Sequence, residues 1–320
     1  MKIGISIETV SPNAADGNTV GKYKLTEKTK SLNGDTVLHR IRAMRDMVLP
    51  NGMMVKKGDI GGWVEHESNL AQDGNAWVFD NAMVFGKARV SGSALVYGEV
   101  RISESAQVFG EARVFGSAHI YGSARVHDKA CVSGNAQIYG NAVADGSAHV
   151  CEKACIGEKS HICGSAWVGG LAHICGEARI GGSAMICEEV DVYGSVRIEG
   201  AARVYGMARI HGNAVVDGSA DISGSARVFE NARVGERASV FENARVFGNA
   251  RIGGDSRVFG DAWVCGNAVV DGGAYVYGSS EVFGSSRIGG DVRVCKGVRD
   301  NGDFVRKAEP KDGLVEVETT

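Results

Sequence analysis

An all-β fold, a parallel β-solenoid of six-residue repeats, is what this sequence predicts, and three observations carry the prediction. From Gly74 to Cys295 the pattern Gly, small polar, Ala, any, Val or Ile, any runs through 37 hexads without an insertion, as in GNAWVF, GEARVF, GSAHIY and GDAWVC. The aliphatic position runs from Val78 to Val294, and only Ala144 departs from Val or Ile. Gly occurs 46 times and Pro 3 times in 320 residues that are 44% hydrophobic. That composition describes many corners around a real core, neither a collagen-like nor a disordered chain.

Each element follows from the period. Ala and Val two residues apart point to the same side of a strand, so every hexad is a short strand with one small and one branched residue facing inward. The small position is relieved only by Ser (Ser160, Ser256, Ser280, Ser286) or Val (Val100, Val190, Val196, Val292). Gly marks a corner where φ can be positive. Asp80, Glu104, Asp128, Glu152, Glu158, Glu188, Glu230, Glu236 and Glu242 replace it, so those nine corners are expected to adopt ordinary backbone angles. A lone hexad cannot bury its face, so coils must stack, each Val contributing roughly 1.5–3 kcal/mol of burial. Three hexads per coil make about twelve coils, roughly 60 Å long at ~4.8 Å per step.

The expected organisation is a flexible stretch over 1–18, a β-hairpin cap over 19–61, the solenoid over 62–295 and a closing tail over 296–320. In the cap, TVLHRIRAM (36–44) is expected to pair with MMVKKG (53–58) around the turn LPNGM. Such a cap would cover the open edge of the first coil. A net charge of −3 gives no global electrostatic reason for nucleic acid or membrane binding. The first residues carry no secretory signal and no stretch reaches membrane-span length, so a cytoplasmic protein is expected. Its eight scattered cysteines fit reduced thiols.

The spacing Val-x-Gly-x-Ala-x over residues 74–295 resembles the hexapeptide-repeat family of left-handed parallel β-helices, whose best-known members are trimeric acyltransferases. The resemblance implies a three-sided, left-handed coil, a homotrimer and, for an enzyme, acyl-CoA as co-substrate. It departs from the family in one respect: Gly comes one residue later than usual after the aliphatic residue, and Phe or Tyr often fills the slot between. The segment GDIGGWVEHESNLAQDGNAWV (58–78) looks like that of uncharacterised bacterial and prophage hexapeptide proteins, which supply no reaction.

With eighteen residues per coil, outward positions eighteen apart form ladders, and function is to be sought there. One face carries Arg89, Arg125, Arg179, Arg197, Arg233, Arg251 and Arg287 beside Asp145, Glu199, Asp217 and Asp271, a salt-bridged solvated wall. Another aligns Arg209, Arg227 and Arg245 beside His211, Phe229 and Phe247. These six are the candidate ligand site, for a nucleotide or other phosphorylated anion held by Arg contacts and ring stacking, unless Glu230, Glu236 and Glu242 neutralise the arginines. DNA is disfavoured by the acidic corners. Columns of aromatics (Phe79, Tyr97, Phe115; Phe241, Phe259, Tyr277; Phe85, Tyr121, Tyr139) read as stacks between coils or as a subunit interface.

His-x-Cys pairs at 149/151, 161/163 and 173/175 fall on three different faces. Stacking adds Cys131 to His149 and Cys151, and Cys155 to His173 and Cys175, giving two three-ligand sets. A flat sheet makes tetrahedral closure awkward, so both are disfavoured as metal sites. Three functions remain open: a non-catalytic scaffold or sequestering protein, of prophage origin by resemblance; an acyltransferase using one of His119, His127, His149, His161, His173 or His211 as general base; and a binder of phosphorylated anions. Uninterrupted repeats favour the first, because no loop leaves the rod to build a pocket. No P-loop, dinucleotide fingerprint, zinc-protease motif or nucleophile elbow is present.

Overall fold

The computed structural model describes residues 21–295, apart from Asn33, and the strand Phe304–Val305. Expectations for residues 1–18 lie outside the described residues, as do those for 296–320 apart from that strand. Two-residue strands recur at every hexad, and each pairs in parallel with the strand eighteen residues on, as in His149↔Trp167 and Arg227↔Arg245. The result is the expected left-handed, three-sided parallel β-solenoid, of about thirteen turns. A single 3-10 turn, Glu67–Asn69, is the one helical element among the described residues.

We call the three walls the first, second and third face. The first runs from Met83–Val84 to Glu281–Val282, the second from Arg89–Val90 to Arg287–Ile288, and the third from Trp77–Val78 to Arg293–Val294. Inside them the small and branched residues of every rung are buried, nearly all with no exposure at all. At three of the four small positions taken by Ser, Ser160, Ser256 and Ser286 donate to the carbonyls of Gly157, Gly253 and Phe283 three residues back, while the buried Ser280 hydroxyl has no such partner. Those three hydroxyls are thereby satisfied without leaving their rungs.

The corners overturn one expectation. All nine Asp and Glu corners hold positive φ, between 49° and 63°, the same left-handed turn as the glycines. That conformation costs an ordinary residue about 1–2 kcal/mol. What offsets the strain is common to all nine: the carboxylate accepts the backbone N–H of the corner eighteen residues on. That upper partner is glycine every time. Every acidic corner thus stitches its coil to the next.

At the N-terminal end, β1 (Tyr23–Leu32) pairs antiparallel with β2 (Thr36–Ala43), and β2 with β5 (Ile60–Val64). β3 (Met47–Val48) and β4 (Met54–Val55) form a small hairpin across the LPNGM turn. The expected partner of TVLHRIRAM is therefore corrected: β1 takes that place. The reason is backbone satisfaction, since an eight-residue strand needs a partner of its own length and β4 offers two residues. β5 then pairs in parallel with Met83–Val84, which joins the antiparallel strands to the first face. Below them the buried Lys22 ammonium donates to the Asp73 and Ala76 carbonyls, and Tyr23 Oη donates to those of Glu67 and Leu70. Burial lowers the Lys22 pKa to about 8 and raises that of Tyr23.

Candidate functional site

The candidate anion site sits on the first face. Arg209, Arg227 and Arg245 occupy the first outward position of consecutive rungs, in direct register. Two residues on, Tyr193, His211, Phe229 and Phe247 form one continuous stack, with ring centroids 4.7, 4.9 and 4.8 Å apart and planes within 11° of parallel. The period-2 strand points both columns outward, and the parallel register then holds like beside like. All six expected residues share one surface, as expected. Tyr193 below and Trp263 above are further members, legible as positions eighteen residues before His211 and after Arg245.

The electrostatics differ from the expectation. Glu230, Glu236 and Glu242 form no ion pair with these arginines among the described residues: they stand at three successive corners, and each carboxylate accepts a glycine N–H. Arg209 instead meets Asp191 at 3.5 Å, and the Arg245 guanidinium lies 4.9 Å from the Trp263 ring centre. Among the described residues neither Arg227 nor Arg245 forms an ion pair. The rings contact one another face to face, so their faces are consumed within the stack and a base cannot insert between them. Stacking as a binding mode is confined to the ends of the column, while the arginines remain available. Burial and the Arg227 charge lower the His211 pKa against the opposing pull of Glu230, which leaves a neutral imidazole at pH 7.

The two cysteine and histidine sets do not close. Cys131 pairs in register with His149, and Cys155 with His173. Yet neither set of three brings all its donor atoms within 4.8 Å of one another. Aromatic neighbours take the space: the Trp167 ring covers Gly169 beside Cys151, and the Tyr139 ring covers Gly157, with its hydroxyl bonded to Cys155. Burial raises the pKa of Cys131, Cys151, Cys155 and Cys175, so these thiols stay protonated at neutral pH.

A cluster that sequence reading missed lies on the second face. His161 Nε2 is 2.7 Å from Asp145 Oδ2, and His127 Nε2 approaches the same oxygen at 3.9 Å. His127 Nδ1 lies 3.2 Å from Asp128 Oδ1, and its ring stacks on Phe109 at 4.7 Å. The pair Asp145 and His161 is sixteen residues apart, a diagonal between neighbouring rungs. A search of vertical columns alone passes over it. Further up the same wall, Arg179 and Arg197 share Glu199 at 3.6 and 3.2 Å, as expected for a salt-bridged wall. The aromatic columns stack as expected too, in the pairs Tyr97–Phe115, Tyr121–Tyr139, Phe241–Phe259 and Phe259–Tyr277.

No helix among the described residues is long and apolar enough to cross a membrane. Residues 106–122 match the family described as YdcK beta solenoid repeat. One curated relative, the "Uncharacterized acetyltransferase YdcK" of Escherichia coli (strain K12), is 34% identical over 70 residues, 21% of this chain and 22% of the relative. The match thus spans about a fifth of that protein's length. The repeat match and the solenoid both fit a hexapeptide-repeat-like family.

Proposed function

We propose that the solenoid is a binding scaffold whose first face takes phosphorylated anions on the arginine ladder. The observation that carries this reading is that Arg209, Arg227 and Arg245 stand on consecutive rungs while Arg227 and Arg245 have no ion pair among the described residues. Like charges about one strand spacing apart repel by on the order of 1 kcal/mol even in water-like surroundings. A bound phosphate group relieves that repulsion and takes charge-assisted hydrogen bonds from the guanidinium forks. Calorimetric titration with ATP and with coenzyme A tests it. Binding that weakens with added salt and is lost in Arg227→Ala supports the ladder; unchanged affinity in that variant sinks it.

A second reading is acyl transfer, favoured by the relative's being named an acetyltransferase and by the state of His211. Coenzyme A is itself a phosphorylated anion, so the same ladder would hold it. The neutral His211, edge-on to solvent between Tyr193 and Phe229, would accept the proton of an acceptor amine or hydroxyl. Thiol release from acetyl-CoA that depends on an acceptor and falls in His211→Gln supports transfer. Binding of coenzyme A without thiol release leaves the scaffold reading alone.

A further inference from the structure

The second face carries a set of donors that neither reading uses. The donor atoms of Asp145, His161 and Cys163, one from each and Sγ for the last, lie within 4.8 Å of one another. They come from two consecutive coils. His161 and Cys163 flank the buried Ile162 on one rung and so point the same way, while Asp145 holds the position eighteen residues below Cys163. The backbone beneath is locked by parallel pairing, Val143↔His161 and His161↔Arg179, with buried Ala144 and Ile162 anchoring the rungs from inside. Side-chain exposure is only 21% at Asp145 and 30% at His161, and Cys163 is half-buried.

We propose that Asp145, His161 and Cys163 form a metal site for a borderline transition dication such as Zn²⁺ or Co²⁺. The chemistry of the donors selects the ion: one carboxylate oxygen, one imidazole nitrogen and one thiolate sulfur suit zinc or cobalt, whereas magnesium and calcium call for oxygen donors throughout. Ligand atoms around a tetrahedral zinc stand about 3.3–3.8 Å apart. The set reaches that spacing by opening the 2.7 Å contact between Asp145 and His161, with Cys163 Sγ already within 4.8 Å of both, which calls for side-chain movement on a rigid platform. Three protein ligands leave the fourth position facing solvent, the arrangement of an open site. On binding, the Cys163 S–H bond breaks, its proton passes to solvent and the sulfur lone pair makes the metal bond, so the ion also competes with protons. His127, 3.9 Å from the Asp145 oxygen and in contact with Asp128 and Phe109, is the outer neighbour of the carboxylate.

The site differs from the arginine ladder in face and in coil, so either proposal can fail alone. The test is cobalt(II) titration of the full-length, chelator-treated protein, read by the thiolate-to-cobalt charge-transfer band and the visible bands of tetrahedral cobalt. The expected result is a single saturable phase. Cys163→Ser removes the charge-transfer band, and His161→Gln and Asp145→Asn each weaken binding more than tenfold. His127→Gln weakens it by about tenfold, the range of an outer-shell loss. Cys151→Ser and Cys175→Ser leave the spectrum unchanged. All six positions face outward, and a thermal melt of each variant checks that the rod is intact. No charge-transfer band in the wild type, or a band that survives Cys163→Ser, overturns the proposal; so does a band that follows Cys151 or Cys175 instead.

Discussion

The coils around residues 119–187 and those around 191–263 are the same object on the inside and different objects outside. Both stack Ala and Val or Ile at zero exposure, turn at positive φ every six residues and pair in the same eighteen-residue register. Outside, the lower coils present His, Cys and Asp, whose donors meet on a diagonal at Asp145, His161 and Cys163. The upper coils present Arg and rings that run vertically from Tyr193 to Phe247. The difference teaches that this scaffold separates folding from chemistry almost completely. Any outward residue is tolerated, and its partner is set by register alone.

Moving the register breaks the comparison most severely. Deleting the single hexad 213–218 keeps the inner pattern but carries Arg227 and Arg245 to the neighbouring face, whereas deleting the eighteen residues 212–229 sets Arg245 beside Arg209. The rod is expected to form in both. Calorimetry should find phosphate-ligand affinity abolished in the first and retained, weaker, in the second. Equal binding in the two deletions would show that vertical alignment is irrelevant to the upper coils.

A corner tests the shared interior next. At Gly254, with φ of 61°, an added Cβ would stand 2.5 Å from the Gly272 nitrogen. Gly254→Ala is therefore expected to lower Tm by about 5 °C or more. Glu236, the acidic corner directly below, has φ of 56° and bonds the Gly254 N–H. Glu236→Ala keeps the strained turn and loses the bond, for an expected drop of about 2–4 °C, while Glu236→Gly gives up the bond but relieves the turn and drops less. A Gly variant less stable than the Ala variant would mean that the strain is absent.

The smallest effect belongs to the N-terminal end. The Lys22 pKa stands at about 8 when folded against 10.5 in the free side chain, lowered by burial. Below pH 8 the group is protonated in both states and its burial penalty is present in full. Between pH 8 and 10.5 the folded form releases its proton first, so stability from this group rises with pH. The melting temperature of the wild type should climb relative to Lys22→Met across that window, and a constant difference would place the cause elsewhere.

The rungs, the buried positions and the membership of each column were legible in the chain because they rest on covalent spacing. Alternation at two residues decides inside from outside, and eighteen residues decide which neighbours stack. The arginine and ring columns were found that way. The N-terminal pairing was not, because antiparallel partners depend on which strand has the length to satisfy another's backbone groups, and β1 outcompeted β4. Nor was the meeting of Asp145 with His161 beside Cys163, because that contact crosses from one column to the next.

What the sequence by itself determined about this protein is thus the solenoid and the address of every outward side chain, since both follow from distance along the chain. Only the tertiary structure decided that the acidic corners are left-handed and bridge one coil to the next, and that a carboxylate leans across a rung to meet an imidazole beside a thiol. These turn on where side-chain atoms settle between coils, a matter of rotamer and close contact that a six-residue period does not encode.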